Sequence, residues 1–308
     1  MRTLALLAFA VVASLPACWS APAVRLLSNL SSPQSVGTVF GLTAIPKEEG
    51  EPLKLMGKYR FRYSVSVDGA AFRVVRDYSP QQGFAWRPEL FEHDARVKVT
   101  MKNVTSKLTA EAELPFRVVA RAVGQKTVVT PTANPLVALF SAPPCPEGSR
   151  FRVMFRREGE AGKDQRTGSQ PCTGSRTNNI YVAGMLADSA YEMRAEVVDG
   201  DSAKPGPPAS FHTGIVDGNY APFRVVTPRD AAASSAEQFL VYSIELPVQR
   251  PIATDLSGNL VWYLPLDDRS LTRMLPGGRF LVFNGGINEE NSRRAGALGS
   301  GPGGKYDS

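Results

Sequence analysis

The stretch Tyr59-Arg-Phe-Arg-Tyr-Ser-Val-Ser-Val67 alternates apolar and polar residues one for one. Successive side chains of a β-strand point to opposite faces, so this pattern specifies a strand with one buried face and is incompatible with an amphipathic helix of the same length. Tyr59, Phe61, Tyr63, Val65 and Val67 take one face, and Arg60, Arg62, Ser64 and Ser66 the other. Val97, Val99 and Met101 alternate with Lys98, Thr100 and Lys102 in the same way. Asp68-Gly69, followed by Phe72-Arg-Val-Val75, reads as a hairpin turn and its returning strand. Glu111 to Arg121 is a further apolar-rich strand, and no stretch of this region sustains a 3.6-residue period.

About a hundred residues of short strands separated by turn signals, residues 24–122, predict an immunoglobulin-like β-sandwich. Trp86 is either its buried anchor or an ordinary core residue. Residues 123–216 repeat the character, with strands over Leu136 to Phe140, Phe151 to Phe155, Ile180 to Met185 and Tyr191 to Val197. Here Met185-Leu-Ala-Asp-Ser-Ala-Tyr191 resembles the fibronectin type III pattern Leu-x-Pro-x-Thr-x-Tyr, with Ala187 for the proline and Ser189 for the threonine. The resemblance implies a second, fibronectin type III-like sandwich, in which Tyr191 is structural and bonds its hydroxyl to the backbone before it. The run Lys204-Pro-Gly-Pro-Pro208 is either a strand-end turn or an exposed loop.

The first 23 residues read as an export signal. Arg2 precedes an unbroken apolar run from Leu4 to Ala13, which has signal-peptide length and is too short to span a bilayer. Leu15-Pro-Ala-Cys18 resembles a lipobox and would anchor the chain through an acylated Cys18; cleavage after Ser20 or Ala23 would release it. Either exit places the protein in the periplasm or outside the cell. No run of 18 apolar residues is present, so no transmembrane helix is expected. Three cysteines occur, and removal or acylation of Cys18 leaves Cys145 and Cys172, both beside prolines in loop-like sequence. In an oxidising compartment this pair is expected to form a disulfide, stabilising the fold by about 3.5 kcal/mol on chain-entropy grounds.

The net charge is +6, with basic residues scattered singly along the strand-like segments. They read as a solvated surface, and no nucleic-acid partner is expected. Only His93 and His212 occur, which excludes most histidine-based metal sites and histidine catalysis within this chain. Asp267-Asp268 and Glu289-Glu290 point to opposite faces of any strand and make poor carboxylate dyads. Gly299 to Lys305 has P-loop spacing, but Tyr306 replaces the magnesium-binding hydroxyl residue and no strand precedes it. No catalytic, cofactor-binding or metal residue is therefore assigned, and no cofactor is expected. Asn29-Leu-Ser31 and Asn103-Val-Thr105 match glycosylation sequons.

Character changes at residue 217. Asp217-Gly-Asn-Tyr-Ala-Pro222 is linker-like, and Phe239 to Ile244 reads as a strand. Pro251-Ile-Ala-Thr-Asp-Leu-Ser-Gly-Asn-Leu-Val-Trp-Tyr263 then reads as strand, turn and aromatic-ended strand. Asp255 and Asn259 bond the turn backbone, Gly258 supplies a positive φ, and Trp262 closes the hairpin. Leu275-Pro-Gly-Gly-Arg-Phe-Leu-Val-Phe283 adds another hairpin, and Gln238 to Phe283 has the length of one four-stranded propeller blade.

These two segments together resemble the opening blade of the arylsulfotransferase family, whose members carry a β-sandwich region ahead of a six-bladed propeller. The resemblance covers roughly a sixth of the chain. It implies that a full-length parent moves a sulfuryl group from an aryl sulfate, through a propeller histidine, to an acceptor phenol. Neither His93 nor His212 matches such a position, so this chain alone is expected to be inactive. The expected architecture is all-β: two sandwiches, then residues 217–292 as linker and first blade of an incomplete propeller. Residues 293–308 read as a Gly-rich tail from truncation or an aberrant reading frame. The region from 217 onward is expected to be separable, leaving a better-behaved two-domain protein. The competing expectation is a non-enzymatic secreted or surface binding protein.

Overall fold

The computed structural model describes residues 22–47, 57–161, 164–216, 223–226, 239–244 and 250–265, with the backbone of 269–275, 279–284 and 305–307. Residues 1–21 of the expected export signal, with Cys18, the linker at 217–222, the two acidic pairs and most of the Gly-rich tail lie outside them, while Ala23, the last residue of that expected signal, pairs with Lys47 in a strand. The described residues are all-β. Two compact units divide the described residues: those within 22–34, 38–87 and 93–117 in one, and those within 35–37, 88–92 and from 118 onward in the other.

Eight strands build the first sandwich: β1 (Ala23–Ser28), β2 (Gln34–Ser35), β3 (Phe40–Lys47), β4 (Tyr59–Val67), β5 (Arg73–Ser79), β6 (Gly83–Trp86), β7 (His93–Asn103) and β8 (Thr109–Val119). They form two sheets, β1-β3-β6 and β2-β8-β7-β4-β5. Leu26, Phe40 and Leu42 of the first sheet share one buried cluster with Phe61, Tyr63, Val97, Val99, Met101 and Phe116 of the second. A common core between two sheets makes the unit a sandwich. Trp86 is buried on β6, its ring 5.3 Å from Phe40 and edge-on to Phe116. The Asp68-Gly69 turn between β4 and β5 has both residues at positive φ, 48° and 79°, the signature of a tight hairpin. The alternation of β4 departs from expectation at its end, where Ser64 and Ser66 are buried on the outward face. Their ladder partners Lys98 and Arg96 are long side chains stacked on the Phe72 ring, and these shelter the small hydroxyls.

The second sandwich uses β9 (Val128–Pro131), β10 (Ala138–Ala142), β11 (Arg150–Arg157), β12 (Gln165–Arg166), β13 (Gln170–Pro171), β14 (Asn178–Val182), β15 (Ala190–Asp199) and β16 (Ser202–His212). Its sheets are β14-β10-β9 and β12-β11-β15-β16, with β13 also on β11. Phe140 and Val182 from one sheet meet Phe151, Val153, Phe155, Tyr191 and Met193 from the other. Apart from β2 and β13, the ladder order repeats that of the first sandwich strand for strand. The chain thus carries one sandwich topology twice.

The proline run is neither a turn nor a loop: it lies inside β16. Pro205 faces Glu196 and Pro208 faces Arg194, with a register shift between them. β16 ends the sheet order and carries a register shift there, and edge strands and bulges are where a sheet tolerates proline. These prolines also make the edge a poor template for a further strand.

Beyond the sandwiches, β17 (Phe239–Ile244), β18 (Arg250–Asp255) and β19 (Leu260–Tyr263) form an antiparallel meander. β20 (Arg269–Leu275) and β21 (Arg279–Asn284) form the second expected hairpin. The two hairpins belong to separate three-stranded sheets rather than to one four-stranded sheet. The third strand of the latter is β22 (Lys305–Asp307), within the tail where no strand pattern was expected.

The meander is also not separable. Ile252 and Tyr263 are buried against Leu136, which precedes β10, in a cluster that takes in Val216, Phe223 and Tyr242. Asn134 Nδ2 donates to the Tyr263 carbonyl at 2.7 Å, while Asn134 Oδ1 accepts the Leu136 N–H at 3.0 Å. Removing the region from 217 onward would strip the cover from Leu136 and leave this buried amide short of a partner.

Candidate functional site

Tyr191 enters β15 as its second residue and points inward, 6.3 Å from the Phe155 ring. Its hydroxyl oxygen accepts the Leu186 N–H at 2.8 Å, five residues back along the chain. Thr213 closes the same corner: its Oγ1 donates to the Leu186 carbonyl at 2.6 Å and accepts the Ser189 N–H at 2.9 Å. Burial raises the phenol above its usual pKa; the Leu186 bond and Arg157 pull it down, and Glu160 and Asp255 push it up. A neutral phenol anchoring backbone is a structural element.

A cleft of about 300 Å³ lies beside this corner, lined among others by Arg157, Glu160, Gln165, Tyr191, Asp255 and Asn259. Both acidic members are already engaged: Glu160 Oε1 lies 3.9 Å from Arg157 Nε, and Asp255 closes its own turn. Asp255 Oδ1 accepts the N–H groups of Ser257 and Asn259, both at 2.9 Å, and Oδ2 accepts Asn259 Nδ2 at 2.8 Å. Gly258 sits at φ 85°, and a Cβ there would come within 2.5 Å of the Phe223 carbonyl oxygen, so both conformation and space demand glycine. Trp262 is half-buried opposite Ala253 on β18. Asp255, Gly258 and Trp262 therefore shape a hairpin, and the cleft is a joint between that hairpin and the tyrosine corner.

The two histidines sit in different units. His93 opens β7 and is buried, at 5% exposure. His212 ends β16 with its side chain 60% exposed, Nδ1 2.9 Å from the Thr213 carbonyl and Nε2 3.9 Å from Asp188. Among the described residues no cluster of three or more His, Cys, Asp or Glu side chains is placed to hold a metal. Cys145 and Cys172 form the disulfide, with Cα atoms 5.5 Å apart and both residues buried. Both sequon asparagines serve the fold: Asn29 Oδ1 accepts the Gly41 N–H, and Asn103 Oδ1 accepts those of Thr105 and Ser106.

Register assembles one feature that single residues did not announce. On the outer face of β4 and β7, Arg60 is the ladder partner of Lys102, Arg62 of Thr100, and Ser64 of Lys98. Arg96, Lys98 and Lys102 therefore join Arg60 and Arg62 on one face. Arg62 lies 4.3 Å and Lys102 5.7 Å from the Tyr78 ring centre, while Arg96 and Lys98 lie 5.3 and 4.4 Å from that of Phe72. Three carboxylates answer three of the cations: Asp77 pairs with Arg62, Glu113 with Arg96 and Glu111 with Lys98. Arg60 and Lys102 are in none of these ion pairs. Arg60 turns Nη1 to its own backbone, at the Gly57 and Tyr59 carbonyls. The scattered solvated surface expected from sequence is in fact a cation-rich sheet face. Its only sequence signal is the period-two spacing of the basic residues.

The first sandwich has no tyrosine at the corner position. Asp68 N bonds the Asp94 carbonyl as Glu158 N bonds that of Ala190, which makes Ala95 the counterpart of Tyr191. A hollow of about 410 Å³ opens there, bordered by Ser66, Ala95, Phe116 and Arg117.

No protein-family model matches the chain, and no curated protein matches it. Among solved structures, the FN1–FN3 domains of chicken CNTN1 are similar at 11% identity over 63% of this chain and 67% of that one, with a TM-score of 0.26. A two-domain fibronectin type III segment from chicken tenascin is similar at 13% identity over 63% and 99%, with a TM-score of 0.25. The chicken interferon gamma receptor alpha chain is similar at 13% identity over 64% and 99%, with a TM-score of 0.23. Scores this low add nothing to the sandwich assignment, which rests on ladder order and shared cores. Among the described residues no helix is long and apolar enough to cross a membrane.

Proposed function

We propose that this chain is the N-terminal, non-catalytic portion of an exported arylsulfotransferase-like protein. In this reading two sandwiches stand in the periplasm or outside the cell, ahead of a propeller whose first blade begins near β17. The observation that supports it is the Pro251–Tyr263 hairpin. The segment that resembles the family's opening blade folds as an antiparallel pair closed by the Asp255 carboxylate and Gly258. The parent would bind an aryl sulfate, pass the sulfuryl group to a propeller histidine and release the phenol, and an acceptor phenol would then take the group. No step of that sequence is assigned to His93 or His212, which stand at a buried strand start and an exposed strand end.

The test is release of a coloured phenol from its sulfate ester in the presence of an acceptor phenol. The purified chain is expected to show no turnover, and a longer product of the same reading frame carrying further blades is expected to turn over. Turnover by the chain itself, abolished by His93→Ala or His212→Ala, would overturn the reading. A longer product with blades but no activity would favour a non-enzymatic surface binding protein, for which the cation-rich face of the first sandwich speaks.

A further inference from the structure

We propose that the outer face of β4 and β7 is a docking surface for a linear acidic polysaccharide, with Arg60 and Lys102 as its principal contacts. These two cations are direct ladder partners. Like charges in that relation destabilise a sheet. The neighbouring cations each have a carboxylate within ion-pair distance, but among the described residues no such pair includes Arg60 or Lys102. A face shaped for folding alone gains nothing from that juxtaposition, whereas an external anion relieves it.

The geometry favours a linear polymer. Outward residues recur about every 6.6–6.8 Å along a strand, and the adjacent strand lies about 4.8 Å away, so the cations form a narrow double row. A chain with anionic groups at sugar-repeat intervals can lie along such a row and meet several cations at once. Nucleic acid fits less well, because single-strand binding relies on open aromatic platforms and the Tyr78 ring is already covered by Arg62 and Lys102. A bilayer fits less well, because these cations stand on a pleated sheet rather than on an amphipathic helix that can sink into the interface. The choice of a polysaccharide also rests on the exported reading above, since such polymers are met outside the cytoplasm.

The experiment uses the whole chain and heparin, a sulfated polysaccharide, as the probe. The protein is expected to be retained on immobilised heparin at low salt and released by sodium chloride. The double variant Arg60→Gln, Lys102→Gln should weaken binding on the order of tenfold and reduce the slope of log affinity against log salt by about two, one for each cation. It should still unfold cooperatively as the parent does, since removal of the like-charge pair opposes the loss of the Arg60 bonds to the Gly57 and Tyr59 carbonyls and of the Lys102 contact with Tyr78. Lys126→Gln, Lys204→Gln removes the same charge from exposed positions elsewhere and should bind heparin as the parent does. Failure of the parent to bind, or an equal loss in the Lys126 and Lys204 variant, overturns the proposal. So does tighter binding of DNA or of phosphatidylserine vesicles that depends on Arg60 and Lys102. None of these outcomes depends on export, which is tested separately by fractionating the expressing cell; a cytoplasmic location would sink that reading alone.

Discussion

The hydroxyl oxygen of Tyr191 receives the backbone N–H of Leu186 at 2.8 Å, tying the entry of β15 to the loop that precedes it. Tyr191→Phe keeps the ring in the core and removes only this acceptor. The variant is expected to lose about 0.5–1.5 kcal/mol, the net worth of one hydrogen bond. Urea unfolding of parent and variant measures it, and an unchanged midpoint would deny the corner its structural role.

Tyr63 links the first sandwich to high pH. Burial pushes its phenol up to about 12, partly offset by the nearby Arg76 guanidinium. Between pH 10 and 12 the unfolded chain releases this proton before the folded one does. The native state then holds more protons, and stability falls as pH rises through that window, by roughly 2 kcal/mol at its upper end. Below pH 10 the phenol is protonated in both states and the contribution is constant. Tyr63→Phe should flatten the alkaline slope of the melting temperature; a slope identical to that of the parent would contradict the assignment.

The Cys145–Cys172 bridge closes a loop of 27 residues. The protein denatured without reductant should show neither of these thiols free, and reduction should lower stability by about 3.5 kcal/mol. Detection of two titratable thiols from Cys145 and Cys172 before reduction would sink the pairing.

Leu136 is fully buried, in one cluster with Ile252 and Tyr263. Ending the chain after Val216 should therefore lower the melting temperature and raise binding of a hydrophobic dye, the reverse of what a separable module would do. In the full chain, Leu136→Ala should cost about 2–5 kcal/mol. A truncated protein as stable as the parent would show that the meander does not support the second sandwich.

Local chemistry determined what local chemistry can carry. The two-residue period fixed β4 and β7 as strands with defined faces, because side-chain direction along a strand depends only on the chain's own backbone. Asp68-Gly69 and Asp255 to Asn259 specified their turns, because those conformations and bonds close within a few residues. The tyrosine motif was legible for the same reason, as its hydroxyl reaches only to Leu186. Tertiary structure alone decided which strands are neighbours. A ladder bond joins residues far apart in the chain, and the period of a strand says nothing about its partner or its register. So the sequence spaced Arg60 and Lys102 as unrelated surface residues, and pairing of β4 with β7 set them face to face. The same pairing logic put Pro205 and Pro208 at a sheet edge, where a missing donor is tolerated. Packing beyond any ladder laid Ile252 and Tyr263 on Leu136, because a buried apolar contact records shape and proximity that no spacing along the chain encodes.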